Sequence, residues 1–289
     1  MPELPEVEVV KRSLQRKILN LIIKKVKIND GNLRYKVNQD KVSDLKGKKF
    51  IKIKRRSKFL IFEIEKDILM LVHLGMTGKF FFIDRNEKKY KTSFYYDLNY
   101  QKDKKHNRVI FFLQNDQKLI YNDVRKFGFI KFYKSREYKK ISHLNKLGPE
   151  PLDKSFNFKY FKNFIFNRKK NIKNILMDQN CVSGLGNIYA NEILFQSRIN
   201  PTRKVYDLTS LEILKIIKNV KIILKKSIKH GGSTIKDFSS HNGKSGAFQQ
   251  FFKVYGREGE KCSNVDCMKN IKRIVISNRA TFFCNGCQK

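Results

Sequence analysis

The chain has 289 residues, of which 40% are hydrophobic, and it carries a formal net charge of +37 at pH 7. No stretch approaches the roughly 18 uncharged apolar residues of a membrane span, and the acidic N-terminus is unlike a secretory signal. The charge predicts a polyanionic partner and salt-dependent binding, although a bias toward residues with AT-rich codons explains part of the lysine excess. We expect a cytoplasmic monomer that binds nucleic acid.

The first predicted element is a helix over residues 3–19. Apolar residues recur there at helical spacing, at Val7, Val10, Leu14 and Ile18. The same segment permits a catalytic interpretation, because removal of Met1 would turn Pro2 into a secondary amine beside Glu3 and Glu6. An amine next to carboxylates can act as a Schiff-base nucleophile. A free α-amino group has a pKa of about 8, so more of it is unprotonated at neutral pH than of a lysine.

Residues from about 22 to 133 are predicted to form short strands. Runs rich in aromatic and β-branched residues cover 58–64, 68–74, 108–113 and 129–133. Charged turns separate these runs, which are typical of antiparallel sheets. We therefore predict an N-terminal antiparallel β-sandwich flanked by helices.

The pattern becomes helical after a turn-rich connector over residues 147–152. Thr209 and Glu212 are spaced as a capping box, which predicts the start of a long helix that ends at His230-Gly231-Gly232. The following residues are polar and have no clear period, so we predict a mobile loop. The predicted organisation is a sandwich domain over 1–135, a helical domain over 136–232, a mobile loop over 233–251 and a Cys-bearing β-ribbon over 252–289.

Four of the five cysteines form two closely spaced pairs near the C-terminus. Cys262 and Cys267 make the first pair, Cys284 and Cys287 make the second, and Cys181 stands apart. Two such pairs suit a structural zinc ion held by four thiolates, which leaves no open position for catalysis. The alternative is two pairs of reduced surface thiols.

Several separate motifs resemble the formamidopyrimidine-DNA glycosylase family. They are the N-terminal Pro-Glu-Leu-Pro-Glu-Val-Glu, the segment Ser-Gly-Leu-Gly-Asn-Ile-Tyr over 183–189, an arginine at 279 and the two Cys pairs around it. The resemblance runs nearly end to end, with one departure: the first Cys pair encloses four residues where relatives usually have two. It implies an α+β fold with a helix-two-turn-helix element and a zinc-finger ribbon in the C-terminal half.

The resemblance also implies a catalytic set and a chemistry. Pro2 attacks the anomeric carbon of the sugar and expels an oxidised purine such as 8-oxoguanine or a formamidopyrimidine. Glu3 protonates the ring oxygen of the sugar, and Glu6 orders the amine. Lys58 belongs to the same site and contacts the phosphate of the lesion. The resulting iminium permits β- and δ-elimination at the abasic site.

The family further implies a set of DNA contacts on damaged duplex DNA. Met76, Arg125 and Phe127 match side chains that fill the space left by the extruded nucleotide, although strand-end positions equally suit Met76 and Phe127 as core residues. The predicted DNA-binding set is completed by His73, Lys126, Asn187, Tyr189, Lys236 and Arg279. The loop after residue 232 is expected to cover the extruded base.

Two alternatives remain at this point. One is an endonuclease VIII-like glycosylase for oxidised pyrimidines, although Leu4-Pro5 and the loop of Arg125 and Phe127 favour the purine enzyme. The other is a catalytically silent, zinc-bearing DNA-binding protein. Retained Met1 would produce the same silent state, because the Pro2 nitrogen would then be an amide.

Overall fold

The computed structural model describes residues 1–86, 89–91, 104–233 and 248–289. The chain divides into two compact units. The first contains Met1–Asn145 and the segment that begins at His230, and the second contains Lys146–Lys229 and Phe248–Lys289. Within the described ranges no helix is long and apolar enough to cross a membrane. The finer division into four segments stays a prediction.

The first unit begins with one helix and continues mainly as strands. Helix α1 spans Leu4–Ile18, in agreement with the predicted helix, and its buried face carries the apolar residues that defined the periodicity. The other elements are β1 Ile23–Ile28, α2 Gln39–Ser43, β2 Phe50–Arg56, β3 Phe59–Ile64, β4 Ile68–His73, β5 Lys79–Ile83, β6 Lys89–Lys91, β7 Asn107–Leu113, β8 Lys118–Asn122, β9 Phe129–Lys134 and α3 Ser142–Asn145.

These strands form two antiparallel sheets with a shared core. One sheet has the order β1-β7-β8-β5-β6, and the other has the order β2-β3-β4-β9. Aromatic rings join them: the ring centres of Phe50 and Phe111 are 6.2 Å apart, and those of Phe62 and Phe80 are 5.8 Å apart. Because these four residues come from both sheets and are buried, the predicted antiparallel sandwich is confirmed.

The second unit is helical and ends in a β-hairpin. Its elements are α4 Phe158–Ile165, α5 Ile172–Met177, α6 Asn187–Ser197, α7 Ser210–Lys229, β10 Ile271–Ile276 and β11 Arg279–Cys284. The predicted capping box is present before α7, where the Thr209 N–H donates to Glu212 Oε2 at 2.8 Å and the Glu212 N–H donates to Thr209 Oγ1 at 3.3 Å. The two reciprocal bonds fix the start of the helix.

The C-terminal end of the predicted loop has regular structure. Residues Phe248–Phe251 form a single 3-10 turn with Phe248 buried. The ring centre of Phe248 lies 6.0 Å from that of Tyr189, so hydrophobic burial orders a stretch that has no helical period of its own. The rest of the predicted loop, residues 234–247, lies outside the described residues.

Candidate active site

The N-terminal turn brings the predicted nucleophile and its carboxylates together. Pro2, Glu3 and Glu6 are all buried at the start of α1. Glu6 Oε2 accepts the Glu3 N–H at 2.9 Å. Glu6 Oε1 accepts the Ser233 N–H at 2.8 Å and its hydroxyl at 3.0 Å. Glu6 therefore fixes the first turn of α1 against the segment that begins at His230.

A glycine makes this second contact possible. Gly232 has a positive φ of +81°, and a Cβ at that position would lie 3.0 Å from Glu6 Oε1. A larger residue would therefore be strained in its backbone and would crowd the carboxylate. The Gly231-Gly232 pair, which the sequence suggests only as a helix end, also allows the chain to approach Glu6.

The terminal amine of the chain sits in an environment that favours its neutral form. Burial lowers the pKa of the Met1 α-amino group. The carboxylates of Glu3 and Glu6 oppose this shift, and the charges of Lys58 and Arg125 add to it. A secondary amine exposed here by loss of Met1 would experience the same groups, and a neutral amine is the nucleophilic form.

Lys58 and His73 lie at the same end of two neighbouring strands, β3 and β4, of the four-stranded sheet. Lys58 is 6% exposed and precedes β3. His73 ends β4, its Nδ1 accepts the Gly75 N–H at 3.1 Å, and its ring stacks on Phe129 at 5.7 Å. Burial and the nearby Lys58 charge lower the pKa of His73 to about 4. At neutral pH this imidazole is neutral, and the bond to Nδ1 leaves its proton on Nε2.

The depressed pKa of His73 predicts acid-sensitive stability. Its pKa falls from an ordinary 6.5 to about 4 on folding. The unfolded chain therefore binds the proton first, and stability present above pH 6.5 is lost as the pH falls toward 4. We expect His73→Asn, whose side-chain oxygen can replace Nδ1, to reduce this loss by on the order of 1–3 kcal/mol. Urea unfolding at pH 5 and pH 7 measures the difference.

His143 limits how much of the pH dependence the variant removes. Burial also lowers the pKa of His143, so some acid sensitivity should remain in His73→Asn. The control is His143→Asn in an otherwise unchanged chain. If the pH dependence of stability were the same in His73→Asn as in the wild type, the His73 ring of the wild type would not be desolvated in solution.

Met76, Arg125 and Phe127 surround one cavity of the first unit. Its volume is 690 Å³, and the lining residues are Met1, Arg34, His73, Gly75, Met76, Arg125, Lys126 and Phe127. Met76 is 38% exposed and Phe127 is 44% exposed, so the interpretation of these two residues as core is wrong. The guanidinium of Arg125 lies 4.6 Å from the ring centre of Phe127, a cation–π contact that pairs the two side chains.

Lys126 lies in the same loop but its ammonium has a partner in the protein. The residue has a positive φ of 58°, and its Nζ lies 2.7 Å from Asp30 Oδ2. Its DNA contact stays a prediction. The ion pair links the loop to Asp30, whose Oδ2 also forms an ion pair with Arg108 Nη1 at 2.8 Å.

The predicted phosphate loop of the second unit is braced by one glutamine. Gln179 Oε1 accepts the Gly184 N–H at 2.8 Å, and its Nε2 donates to the Leu185 carbonyl at 2.8 Å. Gly184 has a positive φ of 89°, which explains a glycine there. The loop leads into Asn187, the first residue of α6. The local shape suits an anion at a helix N-terminus.

Asn187 and Arg279 are connected through the β-hairpin. The Asn187 Nδ2 donates to the Ala280 carbonyl at 2.9 Å, directly after Arg279, which is exposed at the first position of β11. The structure therefore brings together two of the predicted phosphate contacts, although it gives the Asn187 amide a protein acceptor. Lys236, another predicted contact, lies outside the described residues.

Tyr189 is buried in helix α6. Its side chain is 0% exposed, and its hydroxyl lies 2.6 Å from Ser227 Oγ. The ring therefore packs inside the second unit, and the DNA contact of Tyr189 stays a prediction. Helix α6 is buried on nearly every face, which means that its sequence offers no polar side from which a surface position could be recognised.

The four predicted metal ligands form one cluster. The Sγ atoms of Cys262, Cys267, Cys284 and Cys287 lie within 4.8 Å of one another. The Sγ atoms of Cys262 and Cys287 are 3.7 Å apart, and those of Cys267 and Cys284 are 3.5 Å apart. Four sulfurs at about 2.3 Å from a tetrahedral zinc would be about 3.8 Å apart. The cluster can therefore hold a metal ion, and all five cysteines are free thiols.

The lengthened first Cys pair closes locally. The Cys262 N–H donates to the Lys269 carbonyl at 2.9 Å, and the Cys267 N–H donates to the Asn264 carbonyl at 3.0 Å. The Asn264 amide reaches Cys287 Sγ at 3.0 Å. The extra residues thus form a compact turn, and the side chain of Asn264 in this turn contacts the sulfur of a predicted metal ligand.

Comparisons with known proteins agree over the whole length. The N-terminal domain of formamidopyrimidine-DNA glycosylase matches residues 1–130, and its H2TH domain matches residues 147–239. A formamidopyrimidine-DNA glycosylase of Rickettsia bellii (strain OSU 85-389) is 41% identical over 289 residues, covering 100% of both chains. The chain belongs to the formamidopyrimidine-DNA glycosylase family. The formamidopyrimidine-DNA glycosylase of Wolbachia pipientis subsp. Culex pipiens (strain wPip) is 40% identical over 288 residues and is also covered completely.

Solved structures of the family have the same fold. A mutant of Lactococcus lactis FPG in complex with DNA containing Fapy-dG has a TM-score of 0.85 and 34% identity, with 100% of both chains covered. Lactococcus lactis Fpg with DNA containing an abasic site has a TM-score of 0.85 and 34% identity, with 99% of both chains covered. The wild-type protein has also been solved with DNA containing an oxidised pyrimidine, at a TM-score of 0.84, 34% identity and 100% coverage of both chains.

Sequence reasoning missed two buried charges in this member of the formamidopyrimidine-DNA glycosylase family. Lys173 is fully buried, and its Nζ donates to Thr281 Oγ1 at 2.6 Å and to the Ala280 carbonyl at 3.1 Å. Glu192 accepts three consecutive N–H groups over residues 253–255. Nothing in the sequence distinguishes this lysine among 63 basic residues. Glu192 follows the segment over 183–189 that resembles the family. The N–H groups that it accepts come from residues 253–255, which are distant in the sequence.

Proposed function

We propose that this chain is a DNA repair glycosylase that excises oxidised purines from duplex DNA and then cleaves the abasic site. The observation that carries the proposal is the buried N-terminal turn, where an α-amine of lowered pKa lies beside Glu3 and Glu6. Family membership supplies the substrate class. The formal charge of +37 suits a polyanionic substrate.

The proposed mechanism begins with removal of Met1. The Pro2 nitrogen attacks C1′ of the damaged nucleotide, the glycosidic bond breaks, and the base leaves with its electron pair. Glu3 takes the proton that the attacking amine loses and passes it to the ring oxygen as the sugar opens. The iminium between Pro2 and C1′ then acidifies the C2′ proton, so β-elimination expels the 3′ phosphate and δ-elimination expels the 5′ phosphate. Glu6 holds the turn that carries the amine.

The proposed DNA contacts divide between phosphate and base positions. Lys58, His73, Asn187 and Arg279 hold the backbone, with His73 as a neutral Nε2–H donor. Met76, Arg125 and Phe127 occupy the space left by the extruded nucleotide and offset part of the cost of unstacking. Lys126 braces their loop through Asp30, and we retain it as a DNA contact. Lys236 is proposed on the family resemblance alone.

We propose that the four-Cys cluster holds one structural zinc ion. Four thiolates close the coordination sphere, so the ion stabilises the β-hairpin that presents Arg279 and takes no part in the reaction. We further propose that the protein acts as a cytoplasmic monomer and that the chain divides functionally at residues 135, 232 and 251.

Oxidised pyrimidines are a second candidate substrate class. The observation that favours them is the solved structure of a relative with DNA containing an oxidised pyrimidine. Excision of 8-oxoguanine opposite cytosine and of thymine glycol, measured at one protein concentration, separates the two classes. Faster excision of thymine glycol would favour the pyrimidine assignment.

Borohydride trapping tests the proposed mechanism. The protein is incubated with borohydride and a duplex that holds one 8-oxoguanine opposite cytosine, and the adduct is mapped by mass spectrometry. We expect the adduct on Pro2, which would establish loss of Met1 and the amine nucleophile together. Tight duplex binding by a Met-free chain without an adduct would favour the silent DNA-binding protein.

A further inference from the structure

Two loops of the first unit are locked together along their backbones. The first, residues 74–78, carries Met76, and the second, residues 123–128, carries Arg125 and Phe127. Gly75 has a positive φ of +60°, and a Cβ there would lie 2.4 Å from the nitrogen of Gly128. A Cβ on Gly128 would lie 1.9 Å from the Tyr121 hydroxyl. Gly75 therefore meets the second loop too closely for a side chain, and Tyr121 of β8 leaves no room for one on Gly128.

A buried carboxylate bonds the two loops to each other. Asp123 is 0% exposed. Its Oδ1 accepts the Thr77 hydroxyl at 2.5 Å, and its Oδ2 accepts the Gly128 N–H at 2.8 Å. Thr77 Oγ1 in turn accepts the Arg125 N–H at 3.0 Å. One hydroxyl thus links the loop of Met76 to the backbone of Arg125, and one carboxylate links both loop ends.

The opposite end of the Asp123 residue is also fixed. Its carbonyl accepts Arg108 Nε at 2.8 Å. Arg108 Nη1 lies 2.8 Å from Asp30 Oδ2, and Lys126 Nζ reaches the same oxygen at 2.7 Å. The second loop is therefore held at both its first residue and its centre. Bonds to buried or charged partners of this kind are costly to break.

We propose that Thr77 and Asp123 are positioning residues that hold Met76, Arg125 and Phe127 as one preformed wedge for base extrusion. The inference rests on the proposed glycosylase function and adds two residues whose side chains are buried. Extruding an intact nucleotide requires unstacking, which a preformed wedge offsets. A pre-existing abasic site has no base to unstack. The link between the loops therefore matters for excision and much less for abasic-site cleavage.

The test compares Thr77→Val with Thr77→Ser on two substrates. Valine has nearly the shape of threonine but lacks the hydroxyl, whereas serine keeps it. We expect Thr77→Val to excise 8-oxoguanine opposite cytosine at least about tenfold more slowly, since small misplacements near a reacting centre can cost roughly 100-fold. Cleavage of a duplex with a preformed abasic site should change by less than about threefold, because no base has to be unstacked there. Thr77→Ser should restore excision.

A spectroscopic readout separates positioning from loss of fold. A fluorescent cytosine analogue opposite the lesion brightens when a wedge unstacks it, and we expect this signal from the wild type and Thr77→Ser but not from Thr77→Val. Asp123→Asn, which keeps an acceptor for the Gly128 N–H, should give an intermediate loss of excision. The proposal would be overturned if Thr77→Val excised 8-oxoguanine at the wild-type rate, or if its rates fell equally on both substrates. A wild-type protein without a Pro2 adduct on either substrate would instead overturn the glycosylase function.

Discussion

Glu3→Gln is expected to reduce excision of 8-oxoguanine by roughly 10²–10⁴-fold, the usual contribution of a general acid. Glu3 is 3% exposed and its charge acts on the terminal amine. Glutamine has nearly the same shape but no acidic proton for the sugar ring oxygen. The bond from the residue 3 N–H to Glu6 is made by the backbone, so the helix start should survive the change. Single-turnover excision with saturating protein measures the effect.

A matched control is Glu258→Gln, because Glu258 is an exposed carboxylate of the other unit. It removes the same charge without touching the amine and should excise like the wild type. Duplex binding by Glu3→Gln should remain within a few-fold of the wild type. If Glu3→Gln excised 8-oxoguanine at the wild-type rate, Glu3 would not be the general acid. If borohydride still trapped Pro2 on a preformed abasic site, the nucleophile assignment would stand independently.

The elements of the fold were predictable where the sequence has a clear period. Helix α1 buries the apolar stripe that its 3.6-residue spacing defines, and the strand from Ile68 to His73 is a short apolar run. Such local patterns do not specify which strands pair. The antiparallel pairing of β4 with β9 joins residues about sixty positions apart, and it depends on tertiary packing that no short window contains.

The candidate site was predictable only as far as its motifs extend. Glu3 and Glu6 lie in one helical turn, where the Glu3 N–H donates to Glu6, as their spacing implies. The four cysteines form a separate cluster, as their spacing and the family resemblance imply. The burial of Tyr189 was not predictable, because a helix buried on most faces has no amphipathic signal. The bond between Thr77 and Asp123 spans 46 positions, so neither residue could be selected from the sequence alone.

Loss of the metal site is expected to abolish specific DNA binding. The apolar cluster beneath the finger is small, with Phe195, Val254 and Ile271 packed around two of the ligands. Metal binding worth about 10–16 kcal/mol in isolated zinc modules is comparable with the entire stability of a domain. In Cys284→Ser we therefore expect the hairpin that presents Arg279 to unfold. Zinc content by mass spectrometry and duplex affinity at fixed salt measure the two effects.

Cys181→Ala provides the control for cysteine replacement. Cys181 is buried in the same unit but outside the four-Cys cluster. Burial raises the pKa of its thiol, which keeps it protonated and a poor metal ligand. Cys181→Ala should retain one zinc per chain, and its duplex affinity should keep the salt dependence of the wild type. If Cys284→Ser also retained one zinc and full affinity, the four-thiolate site would be wrong, and the hairpin would owe its order to packing alone.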